Sequence, residues 1–158
     1  MLHKMDPKGS RVGILSNGSP LFNGGAGSGW SNIRKHMLDN DLLDAIIALP
    51  GGLFYGTGIA TYLWIFDNKK PESHKNKVLL INAAKDEYVQ PMRKNLGMKN
   101  VLVSDYGRSE IGRIYHAFET CDNAKLMDKD DFFYTYITVE RPLPVSYTHL
   151  TLPTKLEV

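Results

Sequence analysis

The 158 residues are 42% hydrophobic and 23% charged, the balance of one globular domain of ordinary size. With 19 basic and 17 acidic residues the formal charge is +2, too even to point to nucleic acid by summation, though a local patch escapes such a sum. The single cysteine, Cys121, excludes an internal disulfide and suits a reducing, cytoplasmic setting; no apolar run reaches the roughly 18 residues of a membrane span, and Met1 to Ser10 lack a signal-peptide core.

In chain order, Arg11 to Ser16 (RVGILS) reads as a short strand, stopped by the turn signal Asn17-Gly18-Ser19-Pro20. After Leu21-Phe22 and a glycine run from Gly24 to Gly29, a helix is predicted from about Ser31 to Asp39, with Ser31 as N-cap and Ile33, Met37 and Leu38 on its buried face. Leu43 to Leu49 (LDAIIAL) and Ile59 to Phe66 (IATYLWIF) are nearly continuous apolar runs, the pattern of strands covered on both faces. Joined by a short bend without a helix, they form an antiparallel pair. A charged connector, 68–77, leads to a further buried strand, Val78 to Ala83. The polar stretch 86–100 suggests a short basic helix ending at Gly97. An amphipathic helix is predicted from Ser109 to Thr120, with Ile111, Ile114, Tyr115 and Phe118 on one side, and an edge or antiparallel strand from Phe132 to Glu140. The order is that of an α/β fold.

The bend between the two apolar strands is the most informative segment. Pro50, Gly51, Gly52, Gly56 and Gly58 bracket the aromatic pair Phe54-Tyr55. Ligands of α/β sheets gather at strand ends, and an exposed ring there can stack on a planar group such as a base. A Phe folded down as a cap on the core is the alternative that the local pattern leaves open.

Other motifs are weaker. The glycine run has neither G-x-G-x-x-G spacing nor a following G-K-[ST], so it is not a phosphate loop of known type. It could still present Gly27 and the cations Arg34 and Lys35 to a phosphate. His3, His36, His74 and His116 do not fall at metal-ligand or triad spacing, so no metal site and no catalytic triad is expected.

The run ILSNGSPLFNGGAGSGWSNIRKHMLDNDLLDAIIALPGGLFYGTGIATYLWIFDNKKP, followed by KVLLINA, MRKNLG, IGRIYHAFET and ITVERPL, resembles the C-terminal part of the catalytic domain in modification subunits of type I restriction–modification systems. These are adenine-specific DNA methyltransferases. The resemblance covers about residues 5–143. It implies part of an S-adenosylmethionine-dependent, Rossmann-like methyltransferase fold, a mostly parallel sheet with one antiparallel strand. It also implies transfer of a methyl group from S-adenosylmethionine to N6 of an adenine flipped out of duplex DNA. By motif position Phe54, with Tyr55 beside it, is the ring that stacks on the flipped base. Ser16, Asn17, Gly18, Ser19, Phe22, Gly56, Thr57 and Gly58 shape the cleft, and Thr57 helps position the bend. The implied partners are DNA and the specificity and restriction subunits, with no membrane.

The catalytic N-P-P-[FY] motif, the glycine-rich cofactor motif and the acidic ribose ligand of that family are absent. No catalytic and no cofactor-binding residue is therefore assigned, and a fragment without methylation activity of its own is expected. Residues 145–154, VSYTHLTLPT, resemble a translated sequencing adapter. The domain is accordingly placed at 1–144, and 145–158 is treated as read-through. The alternative from another class is a non-catalytic DNA-binding or subunit-assembly α/β module.

Overall fold

The computed structural model describes residues 2–134 and 137–139. Its elements are β1 (Arg11–Ser16), α1 (Ser19–Phe22), α2 (Gly29–Asp39), β2 (Leu43–Leu49), β3 (Thr61–Asp67), β4 (Lys77–Asn82), β5 (Val89–Leu96), β6 (Lys99–Val103), α3 (Asp105–Ala117) and β7 (Ala124–Asp128). One sheet has five strands in the order β1-β3-β2-β4-β7, and β5 and β6 pair as a separate hairpin.

The expected antiparallel pair is present: β3 runs against β2, and also against β1 on its other side. β2 and β4 are parallel, and β7 closes the far edge antiparallel to β4. The fold is α/β as expected, but two described strands are reversed where the sequence pointed to one. The second, β7, escaped notice because five residues alternating around Leu126 carry too little apolar signal to stand out from a loop.

β2 explains the layering. Its Ala45 and Ile47 pack with Leu79 and Ile81 of β4 and Ile114 and Phe118 at the α3 end. Ile46, one residue out of phase, packs with Leu38 of α2, Trp64, Phe66 and Val78. A strand covered on both faces needs apolar residues on both, hence the unbroken run. Asp44, the second residue of β2, is the polar exception and is fully buried. Its carboxylate accepts from Tyr115 Oη at 2.5 Å and lies 3.0 Å from His74 Nδ1, and the His74 ring is stacked on Phe118. Burial, then the bond to Asp44, pushes the Tyr115 phenol pKa up.

Several boundaries are corrected. α2 starts before Ser31, because the hydroxyl of Ser28 accepts from Ser31 N and takes the cap; Ile33 faces solvent rather than the core. The amphipathic helix lies at 105–117, capped by Ser104, with Phe118 as its left-handed C-cap. The basic helix near 92–97 is instead strand β5 and the turn that follows it. Pro91 argues against a helix interior there and suits an edge strand. The predicted strand 132–140 is not formed at 132–134 or 137–139; its other residues, and the segment 145–158, lie outside the described residues.

Candidate functional site

The registers Ser16↔Tyr62, Leu49↔Thr61 and Ala48↔Asn82 bring the carboxyl ends of β1, β2 and β4 to one edge of the sheet. The turn after β1 and the glycine bend after β2 both leave from that edge, with β3 between them. Two strand spacings of roughly 5 Å separate their starting points.

The bend closes on itself and is then clamped from outside. Gly52 N donates to Gly58 O at 3.2 Å, Ile59 N to Thr57 Oγ1 at 3.3 Å, and Phe54 and Thr57 form an isolated bridge. The β5–β6 hairpin supplies the clamp. Asn100 N and Val101 N both donate to Gly52 O, at 2.9 and 3.3 Å, and Met98 N donates to Tyr55 O at 3.1 Å. Gly52 has φ +71°, and a Cβ there would run into Asn100 Oδ1, so the docking uses both the backbone freedom and the missing side chain. Gly97, at φ +62°, makes the hairpin turn against Tyr55 O.

The rings of the bend differ. Tyr55 is 62% exposed, and Lys99 Nζ stands 5.2 Å from its ring centroid. Phe54 is half-buried, belongs to neither core cluster, and makes no aromatic ring contact among the described residues. Gly56 and Gly58 are exposed with open space where a side chain would stand, and Thr57 is half-buried.

On the β1 side, Ser16 Oγ accepts from Trp64 Nε1 at 2.8 Å and donates to Asn17 O at 2.9 Å. Asn17 Oδ1 accepts from Ser19 N at 3.2 Å and shapes the turn into α1. The rings of Phe22 and Tyr62 fill the space beside Gly18, and Phe22, 73% exposed, meets Tyr62 edge-on. Phe22 and Arg34 line an apolar cavity of about 770 Å³ on the α2 face, along with Met37, Tyr62, Trp64 and Phe133. Phe54 and Tyr55 are not part of that lining, so the two loops share an edge without sharing a pocket.

The glycine-run cations take internal partners. Arg34 donates to the carbonyls of Pro20, Asn23 and Gly24 at 2.9, 2.7 and 3.2 Å, stapling the loop to α2. Lys35 Nζ lies 5.9 Å from the Phe133 ring centroid. Gly27 is at φ +81° with open space around it. Among the described residues no three His, Cys, Asp or Glu come together as a metal site.

A nucleotide-type cofactor does not fit the loops of this edge. The turn after β1 is closed over Gly18 by two rings, and the bend after β2 is closed by Asn100 and by Gly58 O. Gly18, Gly51 and Gly52 are therefore not free to cradle S-adenosylmethionine.

A family model described as N-6 DNA methylase matches residues 1–132. The type I restriction enzyme MjaVIII methylase subunit of Methanocaldococcus jannaschii is 32% identical over 122 residues, 77% of this chain and 20% of its own length. The HindI methylase subunit of Haemophilus influenzae is 30% identical over 125 residues, 77% of this chain and 25% of its own. The chain thus spans about a fifth to a quarter of these curated relatives. Among solved structures, the methyltransferase subunit of a type I restriction–modification system from Streptococcus thermophilus superimposes with a TM-score of 0.62 at 26% identity, over 77% of this chain and 23% of that one. A structure concerned with assembly and conformational transition of the type I system also gives 0.62, at 17% identity over 82% of this chain and 27% of that one, a likeness of fold alone.

Proposed function

Because this chain belongs to the N-6 DNA methylase family, we propose that it forms the target-base side of the DNA cleft in a type I modification methyltransferase. The whole enzyme would move the methyl group of S-adenosylmethionine onto N6 of an adenine in duplex DNA. A stacked adenine presents no accessible amino group, so it must be extruded, and an extruded base needs a surface to lie on. Phe54 provides that surface and Tyr55 flanks it. Gly56 and Gly58 put no side chain beside the rings, Thr57 helps position the bend, and the turn from Ser16 to Phe22 lines the same edge. The observation that carries this is a half-exposed Phe54, outside both core clusters, on a bend clamped from two sides. Arg34, committed to three carbonyls of its own loop, does not favour the runner-up in which the glycine run grips phosphate. S-adenosylmethionine would supply the methyl group; the family's glycine-rich cofactor motif and N-P-P-[FY] motif do not occur in this sequence, so the chain alone is expected to be inactive. The natural partners would be DNA and the specificity and restriction subunits, in the cytoplasm; no described helix is long and apolar enough to cross a membrane.

The test compares binding of the chain to a fully paired duplex and to one carrying a bulged adenine, by fluorescence anisotropy. Wild type should prefer the bulge. Phe54→Ala should lose about 1–3 kcal/mol of that preference. Tyr55→Ala should lose less, since Lys99 already occupies one side of that ring. Equal binding of both duplexes by the wild-type chain overturns the stacking role.

A further inference from the structure

The β5–β6 hairpin is not explained by the bend it clamps. Residues 89–103 carry Arg93, Lys94 and Lys99 and no carboxylate. Arg93 and Lys94 are exposed, and none of the three cations is ion-paired among the described residues. The contrast with the other described arginines is sharp. Arg11, Arg108 and Arg113 each pair with a carboxylate, and Arg34 donates to three carbonyls; among the described residues Arg93 has neither kind of partner. Beside these cations Leu96 and Met98 are 42% and 60% exposed, so the tip offers charge and apolar surface together. An apolar, cationic hairpin tip facing solvent gains nothing for the fold.

We propose that the tip of this hairpin grips the phosphate backbone of duplex DNA beside the extruded base. The inference rests on the function proposed above and adds a binding element to it. Charge complementarity selects the occupant: phosphates are the densest regular array of anions such a short cationic strip can meet, one per roughly 1.7 Å of duplex axis. Leu96 and Met98 would lie against sugar. Phosphate contacts fix register rather than sequence. Here the grip is tied to the ring-bearing bend by the bonds from Met98 and Asn100, so holding the backbone also places Phe54 and Tyr55.

The experiment measures affinity of the 158-residue chain for a fluorescent duplex between 50 and 200 mM salt. Four proteins are compared: wild type, Arg93→Gln/Lys94→Gln/Lys99→Gln, Lys4→Gln/Lys8→Gln/Lys69→Gln and Phe54→Ala. The second triple variant removes the same charge near the opposite edge of the sheet. The hairpin variant should flatten the log K against log salt slope by about 2 to 3 and weaken binding about tenfold or more at 100 mM. The opposite-edge variant should shift the slope by less than about 1. An unchanged slope in the hairpin variant, equal shifts in both triple variants, or no duplex binding by wild type overturns the proposal. Circular dichroism confirms that each variant is folded. Phe54→Ala separates this from the stacking role: it should keep the wild-type salt slope. If wild type shows no preference for a bulged adenine while the hairpin effect persists, the stacking role fails and the phosphate grip stands.

Discussion

The two edges of the central sheet differ in their buried charge. Near the amino ends of β1, β2 and β4, Arg11, Lys70 and Asp44 have partners within the fold, while Lys4, Lys8 and Lys69 are exposed. Arg11 donates through Nε and Nη2 to Asp67 Oδ2 at 3.1 and 2.8 Å. Lys70, only 8% exposed, donates to Asp41 at 2.7 Å and to Lys77 O at 3.0 Å, and Asp44 is enclosed by Tyr115 and His74. At the carboxyl ends, Arg93, Lys94 and the Tyr55 ring are exposed, on a backbone held by main-chain hydrogen bonds. Groups satisfied within the fold contribute to stability. Groups held rigid yet unsatisfied are available to an outside partner.

The strongest way to break that comparison is to damage each edge and see whether stability or binding responds. Asp44→Ala orphans the Tyr115 hydroxyl and the His74 ring nitrogen, part-buried groups; a buried group left unpaired costs about 1–3 kcal/mol. Urea unfolding should show a loss of about 3 kcal/mol, with duplex affinity of the folded fraction unchanged. Gly52→Ala strikes the other edge. A left-handed backbone costs a residue with Cβ about 1–2 kcal/mol, and the new methyl group must displace Asn100. The expected result is a smaller stability loss than for Asp44→Ala, with faster amide exchange at Met98, Asn100 and Val101. Unchanged exchange there would mean that the hairpin is not held by the bend.

How far the sequence spoke for itself follows the same division. β2 and β4 were legible to within a residue, and β3 to within two, because strands covered on both faces leave nearly unbroken apolar runs; the edge strand β1 was legible from the turn signal that stops it. The aromatic bend was legible because Pro50 and four glycines isolate Phe54 and Tyr55 between two such runs. The hairpin was not. Its stability comes from main-chain bonds to Gly52 and Tyr55, and Met92-Arg93-Lys94-Asn95 has no period-2 pattern to show it; Pro91 and Gly97 were the usable signals. The Ser28 cap was hidden by a second serine at Ser31. The Asp44 cluster could not be read at all, since its three members are 30 and 71 residues apart in the chain. The internal role of Arg34 was invisible for a related reason: its partners are carbonyls, which leave no trace in side-chain composition.

A finer probe of the amino edge is pH. The Tyr115 phenol has its pKa raised above the ordinary value of 10.0, so the folded chain holds that proton more tightly than the unfolded chain does. The contribution is fully present below about pH 10 and is lost as pH rises toward the folded-state value. Urea midpoints should therefore fall more steeply above pH 10 in wild type than in Tyr115→Phe, which carries no such proton. Parallel curves for the two proteins would remove the Tyr115–Asp44 bond from the amino edge.

The smallest expected effect is a zero, and it sharpens the division of labour at the carboxyl edge. Binding S-adenosylmethionine needs a glycine turn open enough for backbone to approach the ligand, with a carboxylate placed for the ribose hydroxyls. After β1 the turn is closed over Gly18 by the rings of Phe22 and Tyr62, and after β2 the bend is closed over Gly51 and Gly52 by Gly58 O and Asn100. Calorimetric titration of S-adenosylmethionine into the chain should give no saturable heat at micromolar concentrations, while the same preparation still binds duplex DNA. Base-side contacts and methyl-donor contacts would then belong to separate stretches of the family's sequence. Saturable cofactor binding would contradict that separation, and its loss in Tyr62→Ala would place the donor beside β1 instead.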